Sequence, residues 1–178
     1  MPECVGELFT AVKGQGSYLN GVRVHVNPQA TLRTALVVVN LPPVVRLSEQ
    51  EKKKPLYVRD EIRAAKQEAA IDAILNIRGR MSRDHLPGVR AYGSCAVTLS
   101  QIAAGRVDGY MDPASMAWDV CAGALLITEA GGVVTNLYGM PFDMTRDTSI
   151  VAGANEVMVD YFTQLSKEHS VGKYWLIE

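Results

Sequence analysis

Apolar and polar positions along this chain change period several times, and the changes lay out alternating strands and helices. Residues 7–12 alternate into Lys13-Gly14-Gln15-Gly16, and Ser17-Tyr18-Leu19 runs into Asn20-Gly21. Asn-Gly between apolar segments predicts a hairpin, because both central residues of a type I′ turn take positive φ. Val22, Val24 and Val26 alternate with Arg23 and His25 as in a strand. Residues 34–40 read as a buried strand stopped by Leu41-Pro42-Pro43. From Tyr57 to about Arg78 the period lengthens: Ile62, Ala65, Ala69 and Ala73 share a helix face, with Ile71, Ile74 and Ile77 nearby, and Pro55 and Gly79 punctuate the ends. A short strand over 89–92 follows, then a helix N-capped by Ser94, running through Ala104 and closed by Gly105. The pattern continues with a strand over 107–111, a turn at Asp112-Pro113, a helix from Asp119 and a strand over 133–137. A Gly-Met-Pro turn, a strand over 149–152 and a helix over 156–168 complete it. Such interleaving predicts an α/β layered class in a single domain spanning 1–178.

Composition narrows the class without naming a chemistry. A hydrophobic share of 48% and a charged share of 21% are those of a globular domain with a good core. The formal net charge of −1 excludes a strong electrostatic pull on nucleic acid, and Lys52-Lys53-Lys54 is diluted by Glu49 and Glu51. The apolar run over 35–39 is too short and interrupted to span a membrane, and no charged-then-apolar leader follows Met1. Cys4, Cys95 and Cys121 make an odd set without C-x-x-C spacing, which points to reduced thiols in the cytoplasm rather than disulfides or structural zinc.

Most candidate chemistry dissolves on inspection. Gly14, Gly16 and Gly21 fall short of a dinucleotide loop, which needs a third glycine where Leu19 sits and a helix after it. His25, His85 and His169 have no spacing that would put two ligands on one face. Cys95 lacks a nearby histidine in sequence and reads as a small buried residue at a helix start. Asp119 is different. An Asp at the mouth of an apolar helix is a favoured N-cap, and the same carboxylate suits a hard cation such as Mg²⁺. The local pattern favours the cap and leaves the ligand open. Asp112 adds a second acid at the same junction, and Gly93-Ser94-Cys95 opens another helix N-terminus suited to an anion or hydroxyl.

Several segments together resemble the C-terminal part of the inositol monophosphatase family of Mg²⁺-dependent phosphomonoesterases. They are residues 9–17 with Asn20-Gly21, Gly93-Ser94, the stretch from Trp118-Asp119 through Glu129-Ala130-Gly131-Gly132, Pro141-Phe142-Asp143, and Ala152-Gly153-Ala154-Asn155. The W-D-x-x-x-G-x-x-x-x-x-E-x-G-G element is the specific one; the hairpin alone is weak. The stretch from about Arg46 to Pro87 has no place in the resemblance and reads as a charged helical insert.

The resemblance implies the C-terminal part of an αβαβα sandwich, with N-terminal helices and part of the first sheet absent and a sheet edge or apolar face left open. It implies Mg²⁺-dependent, Li⁺-sensitive hydrolysis of an inositol phosphate to inositol and phosphate, in a cytoplasmic homodimer without nucleic-acid or membrane partners. Asp119 would be a ligand of the second Mg²⁺, which stabilises the leaving alkoxide. Asp112 would take the position of a glutamate that binds inositol hydroxyls, one methylene shorter. Gly93, Ser94 and Cys95 would line the same pocket through backbone N–H groups and the Ser94 hydroxyl. The family's paired-glutamate and D-P-[IL]-D-G-T motifs, expected before the hairpin, do not occur in this sequence. No catalytic residue is therefore identified, the Mg²⁺ site is incomplete, and the chain is expected to be an N-terminally truncated form inactive alone. Two alternatives stay open: a non-catalytic pseudoenzyme or interaction partner, and a related phosphatase of fructose bisphosphate, 3′-phosphonucleotides, histidinol phosphate or another small ester.

Overall fold

The structure is a computed structural model that describes residues 6–40, 57–147 and 149–171, with side chains in the first helix from residue 68 onward. Three short strands, β1 (Phe9–Val12), β2 (Gly16–Leu19) and β3 (Val22–Val24), form an antiparallel sheet in that order. The β2–β3 turn is the sequence-predicted one: Asn20 and Gly21 have φ of 50° and 80°, and Leu19 pairs with Val22. Among the described residues β1 and β3 each pair only with β2, and Leu8, Val12 and Val22 are exposed.

A second, mixed sheet has the order β5-β4-β6-β8-β7. Its strands are β4 (Leu36–Val39), β5 (Gly88–Arg90), β6 (Gly109–Asp112), β7 (Val133–Thr135) and β8 (Ile150–Gly153). Strands β5, β4 and β6 run parallel; β8 is antiparallel to both β6 and β7. Val37, Val38 and Val39 are fully buried, as a strand covered on both faces requires.

Four helices fill the layers: α1 (Tyr57–Arg83), α2 (Cys95–Ala103), α3 (Ala117–Glu129) and α4 (Glu156–Glu168). Alternation along β6 separates them. Tyr110 and Asp112 face α2, whereas Gly109 faces α4, close enough that an added Cβ would lie 2.6 Å from Phe162. Helix α3 packs beside α2 and also covers β1 and β2 of the small sheet. Helix α1 shares the α4 side, where Asp84 accepts from the Tyr161 hydroxyl at 2.9 Å and from Arg80 at 2.9 Å. The layers thus run β, α, β, α, as in an α+β layered sandwich of the sugar-phosphatase type.

Three of the boundaries that depart from the sequence pattern carry a physical reason. Helix α1 continues through Gly79 to Arg83 and ends on His85 at φ 64°, with Leu86 N–H donating to Met81 O (3.1 Å) and His85 N–H to Ser82 O (3.2 Å). This is a Schellman stop with a His in the left-handed position, closed by burial of Leu86 and Met81. Gly79 is carried inside the helix because Ala73, Ile74, Ile77 and Met81 around it anchor the face in the core. Residues 46–56 of the charged segment, and Pro55 with them, lie outside the described residues; the rest of that segment is this packed helix and the turn after it. Strand β6 is shifted toward Asp112, because Asp108 is engaged beforehand: its buried carboxylate accepts from Leu36 N (2.8 Å) and Asn27 Nδ2 (2.8 Å). The third difference is at Asp119 itself.

Candidate functional site

The parallel strands β4, β5 and β6 deliver their carboxyl ends to one place, where α/β sheets commonly bind ligands. Asn40 follows β4, Gly93 and Ser94 follow β5, and Asp112 ends β6. With Cys95, Ala96, Pro113, Ala114, Trp118 and Asp119 they line a cavity of about 390 Å³. All five residues singled out from sequence, Gly93, Ser94, Cys95, Asp112 and Asp119, are brought together there. His25, His85, His169 and Cys121 are not among the lining residues. Cys4 and Lys52-Lys53-Lys54 lie outside the described residues.

Two helix N-termini open onto the cavity. Ser94 caps α2 as its sequence implies, its hydroxyl accepting from Val97 N at 3.3 Å. The first-turn N–H groups of Cys95 and Ala96 have no acceptor inside a helix. Gly93 N–H is already engaged, donating to Asn40 Oδ1 at 3.1 Å. At α3 the N-cap is Met116, and Asp119 occupies the third helical position instead of capping. Its Oδ2 reaches back to accept from Met116 N at 3.0 Å, the reciprocal half of a capping box. Oδ1 has no protein partner among the described residues. The capping and ligand interpretations of Asp119 are therefore compatible, one oxygen for each.

Asp112 is tied more tightly. Its Oδ2 accepts from the Tyr110 hydroxyl at 2.5 Å and from Cys95 Sγ at 3.1 Å, and its Oδ1 from Ala114 N at 2.9 Å. Burial, then the Asp112 charge, pushes the Cys95 thiol up to about 12 and the Tyr110 phenol well above its ordinary range. Both are protonated donors at neutral pH, and Cys95 is not a reactive thiolate. Asn40 links this group to the neighbouring turn, donating from Nδ2 to Tyr110 Oη (3.2 Å) while Oδ1 accepts from Tyr92 N (3.2 Å) and Gly93 N.

In the sequence pattern Asn40 and Tyr110 stand out only as strand residues. The available signal for Asn40 was a lone amide directly after a run of valines, at the end of a buried strand. Glu129 stands out in the sequence only as a member of the motif. Its oxygens accept from Gly14 N (2.7 Å) and Gly16 N (2.8 Å), fastening the β1–β2 turn to the C-terminal end of α3.

Mg²⁺ needs about six hard oxygens in octahedral array. Asp119 offers one free oxygen and Asp112 an almost fully engaged carboxylate. Among the described residues no group of three or more His, Cys, Asp or Glu could hold a metal ion. The described residues do not complete a Mg²⁺ site.

Comparison with known proteins bears on the same residues. The family model described as the inositol monophosphatase family matches residues 1–170, through the segment that the sequence pattern set apart as an insert. The chain is 32% identical over 166 residues to an inositol monophosphatase of Mesembryanthemum crystallinum, covering 92% of this chain and 52% of that protein. Among solved structures it is similar to an inositol monophosphatase from Anabaena (TM-score 0.63, 27% identity, 91% of this chain and 56% of that one). It is also similar to the extragenic suppressor protein suhB from Bartonella henselae (TM-score 0.64, 28% identity, 91% and 52%). The chain spans about half the length of the curated relatives it matches. No described helix is long and apolar enough to cross a membrane.

Proposed function

The chain belongs to the inositol monophosphatase family, and from that premise we propose that its cavity binds a small phosphorylated polyol, an inositol monophosphate first, as part of a Mg²⁺-dependent phosphomonoesterase. The observation that carries this is the convergence of two helix N-termini and two carboxylates on one cavity. First-turn N–H donors suit a phosphate or an oxyanion, while a carboxylate with a free lone pair suits a hydroxyl or a cation. In this reading Asp119 Oδ1 supplies one oxygen to a metal ion, Asp112 and the Ser94 hydroxyl meet the alcohol, and the N–H groups of Cys95 and Ala96 face the ligand's oxygens. Gly93 supports the pocket wall through Asn40. A metal ion bound there would supply charge for the departing oxygen, and these residues alone do not complete its shell.

The 178-residue chain is proposed to bind without efficient turnover. It is further proposed to be cytoplasmic and homodimeric as a family trait, with the unpaired thiols of Cys95 and Cys121 suited to a reducing compartment. Calorimetric titration with inositol monophosphate, with and without Mg²⁺, tests the reading. Binding should require the metal and weaken in Asp119→Asn, with phosphate release near background. Absence of binding by the unaltered chain overturns the ligand assignment. Robust Li⁺-sensitive phosphate release overturns the proposed inactivity and leaves the ligand assignment standing.

A further inference from the structure

We propose that Asn40 is a positioning residue that, through Tyr110, fixes Asp112 as a hydrogen-bond acceptor for a single hydroxyl of the bound alcohol, and so helps set its selectivity. This rests on the polyol-phosphate reading of the cavity.

Donor and acceptor identities fix the direction of the chain. A backbone N–H can only donate, and two of them, from Tyr92 and Gly93, meet Asn40 Oδ1 at 3.2 and 3.1 Å. The Asn40 amide must therefore turn its Nδ2, also donor only, toward Tyr110 Oη at 3.2 Å. A phenol has one proton. With Asn40 donating to its oxygen, that proton goes to Asp112 Oδ2, the nearest acceptor at 2.5 Å. Cys95 Sγ lies 3.2 Å from the phenol oxygen and 3.1 Å from the same carboxylate oxygen, so its own proton also goes to Asp112. Tyr110 is fully buried, which removes water as a competing partner.

Ala114 N–H completes the set at Oδ1, 2.9 Å away. Asp112 then accepts three hydrogen bonds among the described residues, and a carboxylate offers roughly four lone-pair positions. One remains, on Oδ1, and Asp112 lines the cavity. It accepts one O–H and repels a phosphate oxygen, so it distinguishes the alcohol end of an ester from the phosphate end. Asn40 lines the same cavity and acts by denying Tyr110 any other hydrogen-bond arrangement.

Asn40→Asp separates this role from simple loop anchoring. It keeps size and the single Oδ1 acceptor for both the Tyr92 and Gly93 N–H groups, yet presents an acceptor to Tyr110, which then turns its proton away from Asp112. Two measurements on the full chain read the outcome. Proton NMR of the unaltered chain should show a downfield, slowly exchanging hydroxyl proton that vanishes in Tyr110→Phe and shifts in Asn40→Asp. Affinity for inositol monophosphate should fall by about tenfold or more in Asn40→Asp, and the preference over singly deoxygenated analogues should shrink in both variants. An Asn40→Asp chain unchanged in proton spectrum and preference overturns the proposal, since anchoring alone is preserved. If Asn40→Asp fails to fold, Tyr110→Phe decides by the same two readouts. If the unaltered chain binds no inositol monophosphate, the polyol-phosphate reading falls; the hydrogen-bond chain is then judged by the hydroxyl proton, and its absence from the unaltered chain, or its persistence in Tyr110→Phe, overturns it.

Discussion

The two ends of α3 carry acids with opposite fates. At the N-terminal end Asp119 commits Oδ2 to Met116 N–H and keeps Oδ1 for the cavity. At the C-terminal end Glu129 commits both oxygens, to Gly14 and Gly16 N–H. Helix polarity alone favours an acid only at the first end. At the second, the left-handed backbone of Gly14 (φ 78°) and Gly16 (φ 93°) aims two N–H groups at the carboxylate and offsets the unfavourable helix end. One motif thus holds one acid with an oxygen left unengaged beside the cavity and one acid for assembly, and unengaged lone pairs tell them apart.

The largest expected effect removes the contrast by disturbing both ends. A Cβ at Gly123 would lie 2.5 Å from Leu99, where α2 and α3 meet. Gly123→Val should cost about 1–3 kcal/mol in denaturant unfolding, and hairpin protection and cavity binding should fall together. Glu129→Ala should act on one end only. Hydrogen exchange should quicken across β1 and β2 while resonances of Tyr110 and Asp112 stay in place; equal shifts at both ends would mean that α3 does not separate them.

Acid sharpens the same comparison. The Gly14 and Gly16 N–H groups hold the Glu129 carboxyl below its ordinary value. Its contribution is therefore complete above the unfolded carboxylate range, near pH 4.5, and is lost as pH falls through the lower folded value. Melting temperatures followed from about pH 6 to about pH 3 should decline less steeply in Glu129→Gln than in the unaltered chain. Ser94→Ala, which removes the cap beside the cavity, should cost about 1 kcal/mol. Asp119→Asn should be the mildest, within about 1 kcal/mol in stability, while weakening the metal-dependent ligand binding seen by calorimetry.

Much of the fold was legible because local rules decided it. Asn20-Gly21 forced the hairpin, Ser94 capped α2, and α4 runs over Glu156–Glu168, the same residues its pattern indicated. Gly79 misled because a glycine's stop signal is weak beside the burial of Ile74, Ile77 and Met81 around it. Asp119 was legible as an acid at a helix mouth, but its place three positions inside α3 depended on Met116, which has no side-chain group to cap with.

By itself, the sequence determined the alternating elements, the turn chemistry and the motif that marks the family, since each depends on neighbours a few residues apart. Which acid keeps a free oxygen was decided only by the tertiary structure. Asn40, Gly93 and Asp112 meet because three parallel strands end side by side, and Glu129 meets Gly14 because α3 lies against the hairpin. Hydrogen-bond partners more than fifty residues apart in the chain, Asn40 with Gly93 and Gly14 with Glu129 among them, leave no period for a sequence pattern to carry.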